Sequence, residues 1–188
     1  EMKAPPDSFA PAVQWTWDGE GAFDDSIVTP LVANLTDDND DGEVDLCDTP
    51  DIVVIVNDGG CNAARLYVLD GETGNMHYMV NGPFTRAATP AIGDIDNDGV
   101  PEIVVESSAS SCSGTTVTAI DNDGSQLWQS APIPGMSGEH AIALADLEGD
   151  GDVEIIIDHF VLDHQGTLVQ SFPDAGAGHW TTSSAADL

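Results

Sequence analysis

Basic residues are almost absent from this sequence. Its 188 residues include only three lysines and arginines, against 34 aspartates and glutamates. The formal net charge of -31 would repel nucleic-acid phosphates and anionic lipid headgroups, so it excludes nucleic acid as a partner and favours a cation. Hydrophobic residues make up 41% of the chain, which excludes a disordered acidic tail and allows one domain with a buried core.

Long hydrophobic runs and helical periodicity are also missing. No segment approaches the roughly 20 consecutive apolar residues that cross a bilayer, so we expect no membrane span. No segment repeats its apolar residues about every 3.6 positions, so we expect almost no helix.

The sequence is instead built from a repeated unit. Each copy has a short apolar strand, an acidic loop and a β-branched run: TPLVANL and PDIVVIV, then TPAIGDI and PEIVVES, then AIALADL and VEIIID. A fourth copy begins at SSAADL, residues 183–188. The spacing of the copies suits a four-stranded β-propeller blade, which takes about 40–50 residues.

Each unit is expected to form four strands. The β-branched runs 52–56, 103–105 and 155–157 are typical of strands buried on both faces. A third strand follows each run, ends in a glycine-containing turn and leads to an outer fourth strand. Residues 12–17, AVQWTW, resemble such a fourth strand without its first three.

We therefore predict an all-β fold made of β-propeller blades of four antiparallel strands, about three blades with partial strands at each end. The expected parts are an N-terminal segment with an outer strand of a preceding or closing blade at 1–27, blades at 28–82, 83–132 and 133–174, and the first strand of a further blade at 175–188. Closed propellers usually need about 4–8 blades. We expect a piece of a longer protein; the alternative is that another chain supplies the missing blades.

The acidic loops have the spacing of calcium ligands. The second loop, DIDNDGVPE, places oxygen-bearing side chains at alternate positions, a glycine for the tight turn and then a backbone carbonyl. Such a loop surrounds one ion with about 6–8 oxygens. The ligands predicted in this loop and the third one are Asp94, Asp96, Asp98, Val100 through its carbonyl, Glu102, Asp146, Glu148, Asp150, Asp152 through its carbonyl, and Glu154.

The first loop is longer and fits an EF-hand-like spacing, D-x-N-x-D-G-x-x-D-x-x-D. Its predicted ligands are Asp37, Asn39, Asp41, Glu43 through its carbonyl, Asp45 and Asp48. Asn34 and Asp51 align with Asp94 and Glu102, and they either complete this site or contribute to a second ion.

All of these ligands are hard oxygens, and neither histidine nor cysteine is among them. We therefore expect Ca2+, two to four ions, rather than zinc, copper or magnesium. The alternative is that the clusters are only turns rich in aspartate and glycine.

Repeats of this form resemble the FG-GAP/VCBS repeats of bacterial surface proteins and of integrin α-subunit propellers. The resemblance extends from about residue 29 through nearly all of the remaining chain, although the FG-GAP tag itself is missing. It implies a calcium-binding propeller, with ligands carried over to the acidic residues of the second and third loops. The insertion in the first loop departs from the family pattern.

The cysteines and histidines carry weaker patterns. Cys61 and Cys112 hold equivalent places in neighbouring units, nine residues before Asp70 and Asp121, and are the expected disulfide. The alternatives are three free thiols or a bridge between Cys47 and Cys61. The histidines show no metal-ligand spacing and are interpreted as turn and surface residues: His77, His140, His159, His164 and His179. The tryptophans are expected to pack between blades: Trp15, Trp17, Trp128 and Trp180.

The favoured interpretation is a non-catalytic, extracellular or cell-surface module for adhesion, surface assembly or ligand binding. Its expected partners besides calcium are a protein or glycan at a surface, or neighbouring copies of itself. Scarce lysine and calcium-type loops favour export, because weak calcium sites stay empty in the cytosol.

Two alternatives remain open. One is a structural subunit of an extracellular filament, whose terminal strand edges pair with neighbouring chains. The other is part of a polysaccharide-lyase-type propeller enzyme, for which Lys3, Arg65 and Arg86 supply little positive charge against a uronate.

Overall fold

The computed structural model describes residues 12–61, 64–108 and 114–173, and the backbone of 180–181. These residues contain no α-helix, as the sequence predicts, and none of them forms a helix that could span a membrane. The strands are β1 Leu31–Ala33, β2 Asp51–Asn57, β3 Ala64–Asp70, β4 Met76–Gly82, β5 Ala91–Gly93, β6 Glu102–Ser107, β7 Thr116–Ile120, β8 Gln126–Gln129, β9 Glu139–His140, β10 Ile142–Ala145, β11 Glu154–Ile157, β12 Phe160–Leu162, β13 Leu168–Ser171 and β14 Trp180–Thr181.

Three four-stranded antiparallel sheets account for most of the described chain. Sheet 1 contains β1–β4, sheet 2 contains β5–β8 and sheet 3 contains β10–β13, each in sequence order. Every sheet has a bulge at the same place between its third and fourth strands. The residues left unpaired at the three bulges are His77, Leu127 and Val169.

The second strand of each sheet is buried on both faces because apolar residues on each face meet a neighbouring layer. Val53 and Ile55 of sheet 1 belong to a core that includes Ile103 and Val105 of sheet 2. The alternate residues of sheet 2 face the other way and pack on sheet 3, where Ile155 and others are fully buried. The continuous β-branched runs thus follow from burial on both faces.

An aromatic side chain covers the turn glycine of the following sheet at three successive places. A Cβ built on Gly74 would lie 2.5 Å from Trp15, and one built on Gly124 would lie 2.9 Å from Tyr78. A Cβ built on Gly166 would lie 2.5 Å from Trp128. All three glycines have positive φ, as their tight turns require. Residues 12–17 pair with no strand among the described residues, and their assignment as an outer strand of a preceding or closing blade stays a prediction. Trp15 nevertheless covers sheet 1 and donates its indole N–H to the Gly71 carbonyl at 3.1 Å.

The sequence did not predict the pair formed by β9 and β14, which run parallel with Trp180 opposite Glu139. This pair lies outside the three four-stranded sheets. The predicted first strand at 183–188 lies outside the described residues, as do Cys112 and His179.

Candidate metal centre

The three acidic loops fold in the same way at the ends of the sheets. Each loop connects the first strand of its sheet to the second. The N–H of the loop glycine donates to the first aspartate in all three: Gly42 to Asp37 at 2.8 Å, Gly99 to Asp94 at 3.0 Å, and Gly151 to Asp146 at 3.0 Å. The next N–H donates to the aspartate at the fifth position of the loop: Glu43 to Asp41, Val100 to Asp98, and Asp152 to Asp150. Because the aspartates at the first and fifth positions accept the same hydrogen bonds, the aligned motifs share one turn.

Four carboxylates converge in the second loop. Asp94, Asp96, Asp98 and Glu102 each present an oxygen, and these oxygens all lie within 4.8 Å of one another. Glu102 is fully buried at the start of β6, where its Oε2 accepts the Ile95 N–H at 2.7 Å. Its Oε1 and the Oδ1 of Asp94 are buried without a hydrogen-bond partner. The loop thus gathers negative charge around oxygens that have lost water and have no other partner.

The electrostatics of Glu102 reflect this crowding. Burial raises the pKa of its carboxyl from 4.5 to about 7, and the negative charges of Asp96, Asp98 and Asp94 add to the effect. The hydrogen bond from Ile95 acts in the opposite direction. A bound cation would relieve the cost that this site places on an ionised Glu102.

The third loop is organised by Asp146, which is exposed. Its oxygens accept the N–H groups of Gly149 at 2.6 Å and Asp150 at 3.2 Å as well as that of Gly151, and these bonds lower the pKa of Asp146. Glu154 caps the Leu147 N–H at 2.8 Å. Among the described residues, no three acids of this loop approach one another as closely as those of the second loop.

The first loop is organised by Asp48, which is only 6% exposed. Its carboxylate accepts the N–H groups of Asp38 at 3.1 Å, Asn39 at 3.4 Å and Asp45 at 2.8 Å. The side-chain amide of Asn34 donates to the Asp45 carbonyl. Asn34 is therefore tied to the inserted part of the loop.

Asp51 occupies the place of Glu102 in its sheet, as the alignment of the repeats predicts. It is fully buried, and its Oδ2 accepts the N–H groups of Leu35 at 2.9 Å and Thr36 at 3.0 Å. This is the capping position that Glu102 and Glu154 occupy in the other sheets. Its Oδ1 lies 3.0 Å from Nε2 of His77.

The interpretation of the histidines as turn and surface residues is wrong for His140, which is only 2% exposed. Its Nδ1 lies 3.3 Å from the fully buried Glu106, whose Oε2 accepts the His140 N–H at 2.8 Å. Burial acts to lower the pKa of His140. The hydrogen bond and negative charge of Glu106, together with the charges of Asp158 and Glu139, outweigh burial, so the pKa is raised. No sequence pattern indicates the pair of His140 and Glu106, because the two residues lie 34 positions apart in the chain.

Two histidines from outside the acidic loops come close to acids of these loops in the fold. His77 contacts acids at the end of sheet 1, and Nδ1 of His164 lies 3.5 Å from Oδ2 of Asp152. Both contacts come from strands or turns that follow the loops by many residues. Only the folded sheet brings them to the same end.

The cysteines differ in state. Cys61 is disulfide-bonded, whereas Cys47 is free and exposed, so the alternative bridge between Cys47 and Cys61 is wrong. A hydrogen bond with the Asp45 carboxylate and the charge of that group raise the pKa of the Cys47 thiol. Cys47 is therefore a poor nucleophile at neutral pH.

No protein-family model and no curated protein matches the sequence. Among solved structures, the chain is similar to the V. cholerae biofilm matrix protein Bap1, with a TM-score of 0.74 and 26% sequence identity. The alignment covers 86% of this chain and 28% of the biofilm protein's chain. The chain therefore spans a little over a quarter of the length of that longer protein.

Proposed function

We propose that this chain is a calcium-binding, non-catalytic part of an extracellular β-propeller that acts in adhesion or matrix assembly. One observation carries the proposal: Glu102 and Asp94 each hold a buried oxygen without a partner, inside a group of four carboxylates. An unpaired buried charge is costly, and a calcium ion bound by these oxygens removes that cost.

The donor set supports calcium at the second loop. Asp94, Asp96, Asp98 and Glu102 supply carboxylate oxygens only, which suits a hard cation with many ligands. Val100 follows Gly99 in the turn and would add its carbonyl. The shared turn geometry supports equivalent ions at the first and third loops, giving the two to four ions expected from the sequence.

The repeated packing supports the propeller. Successive four-stranded sheets have the same strand order, the same bulge and the same aromatic cover over a turn glycine. Radial stacking of such sheets is the arrangement of propeller blades. We assign the repeats to the FG-GAP/VCBS type on the acidic loops that join the first and second strands.

A matrix role is supported by the similarity to a biofilm matrix protein. By this proposal the partner is a glycan or protein of an extracellular matrix. Binding of the calcium-loaded protein to immobilised matrix polysaccharides, lost on chelation, is the expected result. No binding to polysaccharide or to matrix protein by fully folded, calcium-loaded protein would contradict this part of the proposal.

Calorimetric titration of metal-stripped protein with Ca2+ tests the metal site. Wild type is compared with Glu102→Gln, which keeps the shape of the side chain but removes its charge. Glu72→Gln is the matched control, because Glu72 is an exposed acid outside the loops. We expect Glu102→Gln to weaken or remove one site by about 10-fold or more, since ligand charge sets calcium affinity. Equal binding by all three proteins would contradict the assignment.

A further inference from the structure

Beyond the proposed function, we infer a second kind of metal site at the end of sheet 1, formed by Asp38, Asp51, Asp70 and His77. The site takes a first-row divalent transition metal ion such as Zn2+ rather than calcium. It adjoins the first acidic loop, which contributes Asp38, but takes its nitrogen ligand from His77 outside that loop.

Three carboxylates surround the imidazole of His77. Its Nε2 lies 3.0 Å from Oδ1 of Asp51, 3.7 Å from Oδ1 of Asp38 and 3.9 Å from Oδ2 of Asp70. Ligand atoms of Asp38, Asp70 and His77 all lie within 4.8 Å of one another. One imidazole nitrogen and three carboxylates therefore converge on one small volume.

Two of the carboxylates are held in place by other hydrogen bonds. Oδ2 of Asp51 accepts backbone N–H groups from Leu35 and Thr36, and Oδ1, which faces His77, also lies 3.2 Å from the Thr36 hydroxyl. Oδ1 of Asp70 accepts the N–H and the hydroxyl of Thr73, both at 2.5 Å, which leaves Oδ2 on the side of His77. Such outer hydrogen bonds fix the orientation of carboxylates that bind metals.

The charge of the cluster is not balanced by the protein. The four side chains are at most 25% exposed, and Asp51 is fully buried. Three carboxylates face one imidazole, whereas the arginines of the described chain pair elsewhere: Arg65 with Glu20 at 3.6 Å and Arg86 with Glu139 at 3.8 Å. A divalent cation supplies the missing positive charge.

The buried His140 provides a contrast. His140 also has acidic neighbours, Glu106 and Asp158, but Asp158 also contacts His159 at 2.7 Å. Nearby, Glu139 faces Arg86. In that group each acid has an imidazole or a guanidinium beside it, so a bound ion is not needed.

Comparison of the sheets separates this site from the calcium loops. His77 occupies the bulge position that Leu127 and Val169 fill in sheets 2 and 3. In sheet 2 the free oxygen of Glu102 belongs to the loop cluster, whereas in sheet 1 the shorter Asp51 directs its oxygen to His77. Sheet 1 therefore has a longer acidic loop and, in addition, an imidazole–carboxylate group that has no counterpart at the bulges of sheets 2 and 3.

The donor chemistry selects the metal. Neutral imidazole is a common ligand of zinc and other first-row transition metals, and calcium prefers oxygen ligands throughout. Zinc binds readily to combinations of histidine and carboxylate. Cobalt(II) fits the same donors and reports its coordination by visible absorption.

The test is a Co2+ titration of the whole chain in saturating Ca2+, so that the calcium loops are filled. Wild type is compared with His77→Leu, which introduces the residue type found at the equivalent bulge of sheet 2. His164→Leu is the matched control, because His164 also faces an acid, Asp152, at the same end of the molecule. Circular dichroism of each protein checks that it is folded.

We expect wild type and His164→Leu to bind one Co2+ with a visible d–d absorption band, and Zn2+ to displace it. His77→Leu should lose the band and bind Co2+ more than about 10-fold more weakly. Loss of even a residue that only hydrogen-bonds to a metal ligand costs about 10–100-fold in metal affinity. The calcium titration of His77→Leu should match that of wild type. Absence of Co2+ binding in wild type, or equal binding by His77→Leu, would overturn the inference. Because calcium is titrated separately, failure of either site is visible without failure of the other.

Discussion

Trp128 of sheet 2 lies against Gly166 in the turn of sheet 3, so closely that a Cβ at Gly166 would be 2.5 Å from the indole ring. Tyr78 and Gly124 form the same contact one sheet earlier. The contact joins two sheets at their outer strands, where β4 and β8 have exposed residues and little core. It therefore fixes the approach of neighbouring sheets as well as burying an aromatic ring.

Gly166→Ala is expected to be strongly destabilising. The positive φ of +78° costs an L-residue about 1–2 kcal/mol, and the clash with Trp128 adds about 1–3 kcal/mol. Gly21→Ala is the control, since Gly21 has a φ of +67° with no described atom within 4 Å of an added Cβ. Urea unfolding measures both. Equal losses in the two variants would mean that the aromatic contact contributes nothing.

Glu102→Gln is expected to change stability in opposite directions with and without calcium. A carboxylate whose folded pKa is raised from 4.5 to about 7 destabilises the fold as the pH rises through that range. At about pH 8 the full cost is present, on the order of 3 kcal/mol at most, and the variant removes it.

Thermal melts at that pH measure this effect. The metal-free variant should melt above metal-free wild type, and the calcium-loaded variant below calcium-loaded wild type. A variant that melts lower in both conditions would show that Glu102 is a structural hydrogen-bond acceptor for Ile95 and nothing more.

His140 is expected to make the calcium-loaded protein less stable at alkaline pH. Its folded pKa is raised above the ordinary 6.5, so its contribution is fully present below pH 6.5 and lost as the pH rises through the folded value. Burial also raises the pKa of Glu139, and that shift acts in the same direction. Melting temperatures between about pH 6 and 8.5 measure the loss.

His140→Gln separates the two groups. The variant keeps a donor for Glu106 but cannot titrate, so its melting temperature should depend less on pH than that of wild type. Identical pH profiles for the two proteins would place the effect at Glu139 or elsewhere.

Much of the fold could be predicted from the sequence because its signals are local. β-branched runs gave the buried strands β2, β6 and β11, and glycines gave the turns that follow the third strands. The alternating aromatic pattern of residues 12–17 indicates burial, and Trp15 is partly buried by covering the turn at Gly74.

The acidic loops could be predicted in part. The D-x-D-x-D-G spacing is local, and the shared turn follows from it. Leu35 and Ile95, just after the first aligned position of each motif, are fully buried, whereas the equivalent Leu147 is 50% exposed. That difference in burial depends on whether another sheet packs against the loop. The motif holds no information about the neighbouring sheet.

The histidine contacts could not be predicted, because they depend on register. The bulge in sheet 1 leaves His77 unpaired and brings it to Asp51, which is 26 residues earlier in the chain. A shift of one residue would turn its side chain to the other face. His140 and Glu106 meet only because β9 lies beside the end of β6.

The central claim is that the acidic loops bind calcium and thereby stabilise the folded sheets. The most direct test is the melting temperature of the metal-stripped chain in excess chelator, in Ca2+ and in Mg2+ at the same ionic strength. Each loop saturated at about 100 times its Kd adds about 3 kcal/mol, so two or more loops should raise the melting temperature by at least about 10 °C in Ca2+ alone. Equal melting temperatures in chelator and in Ca2+ would contradict the account.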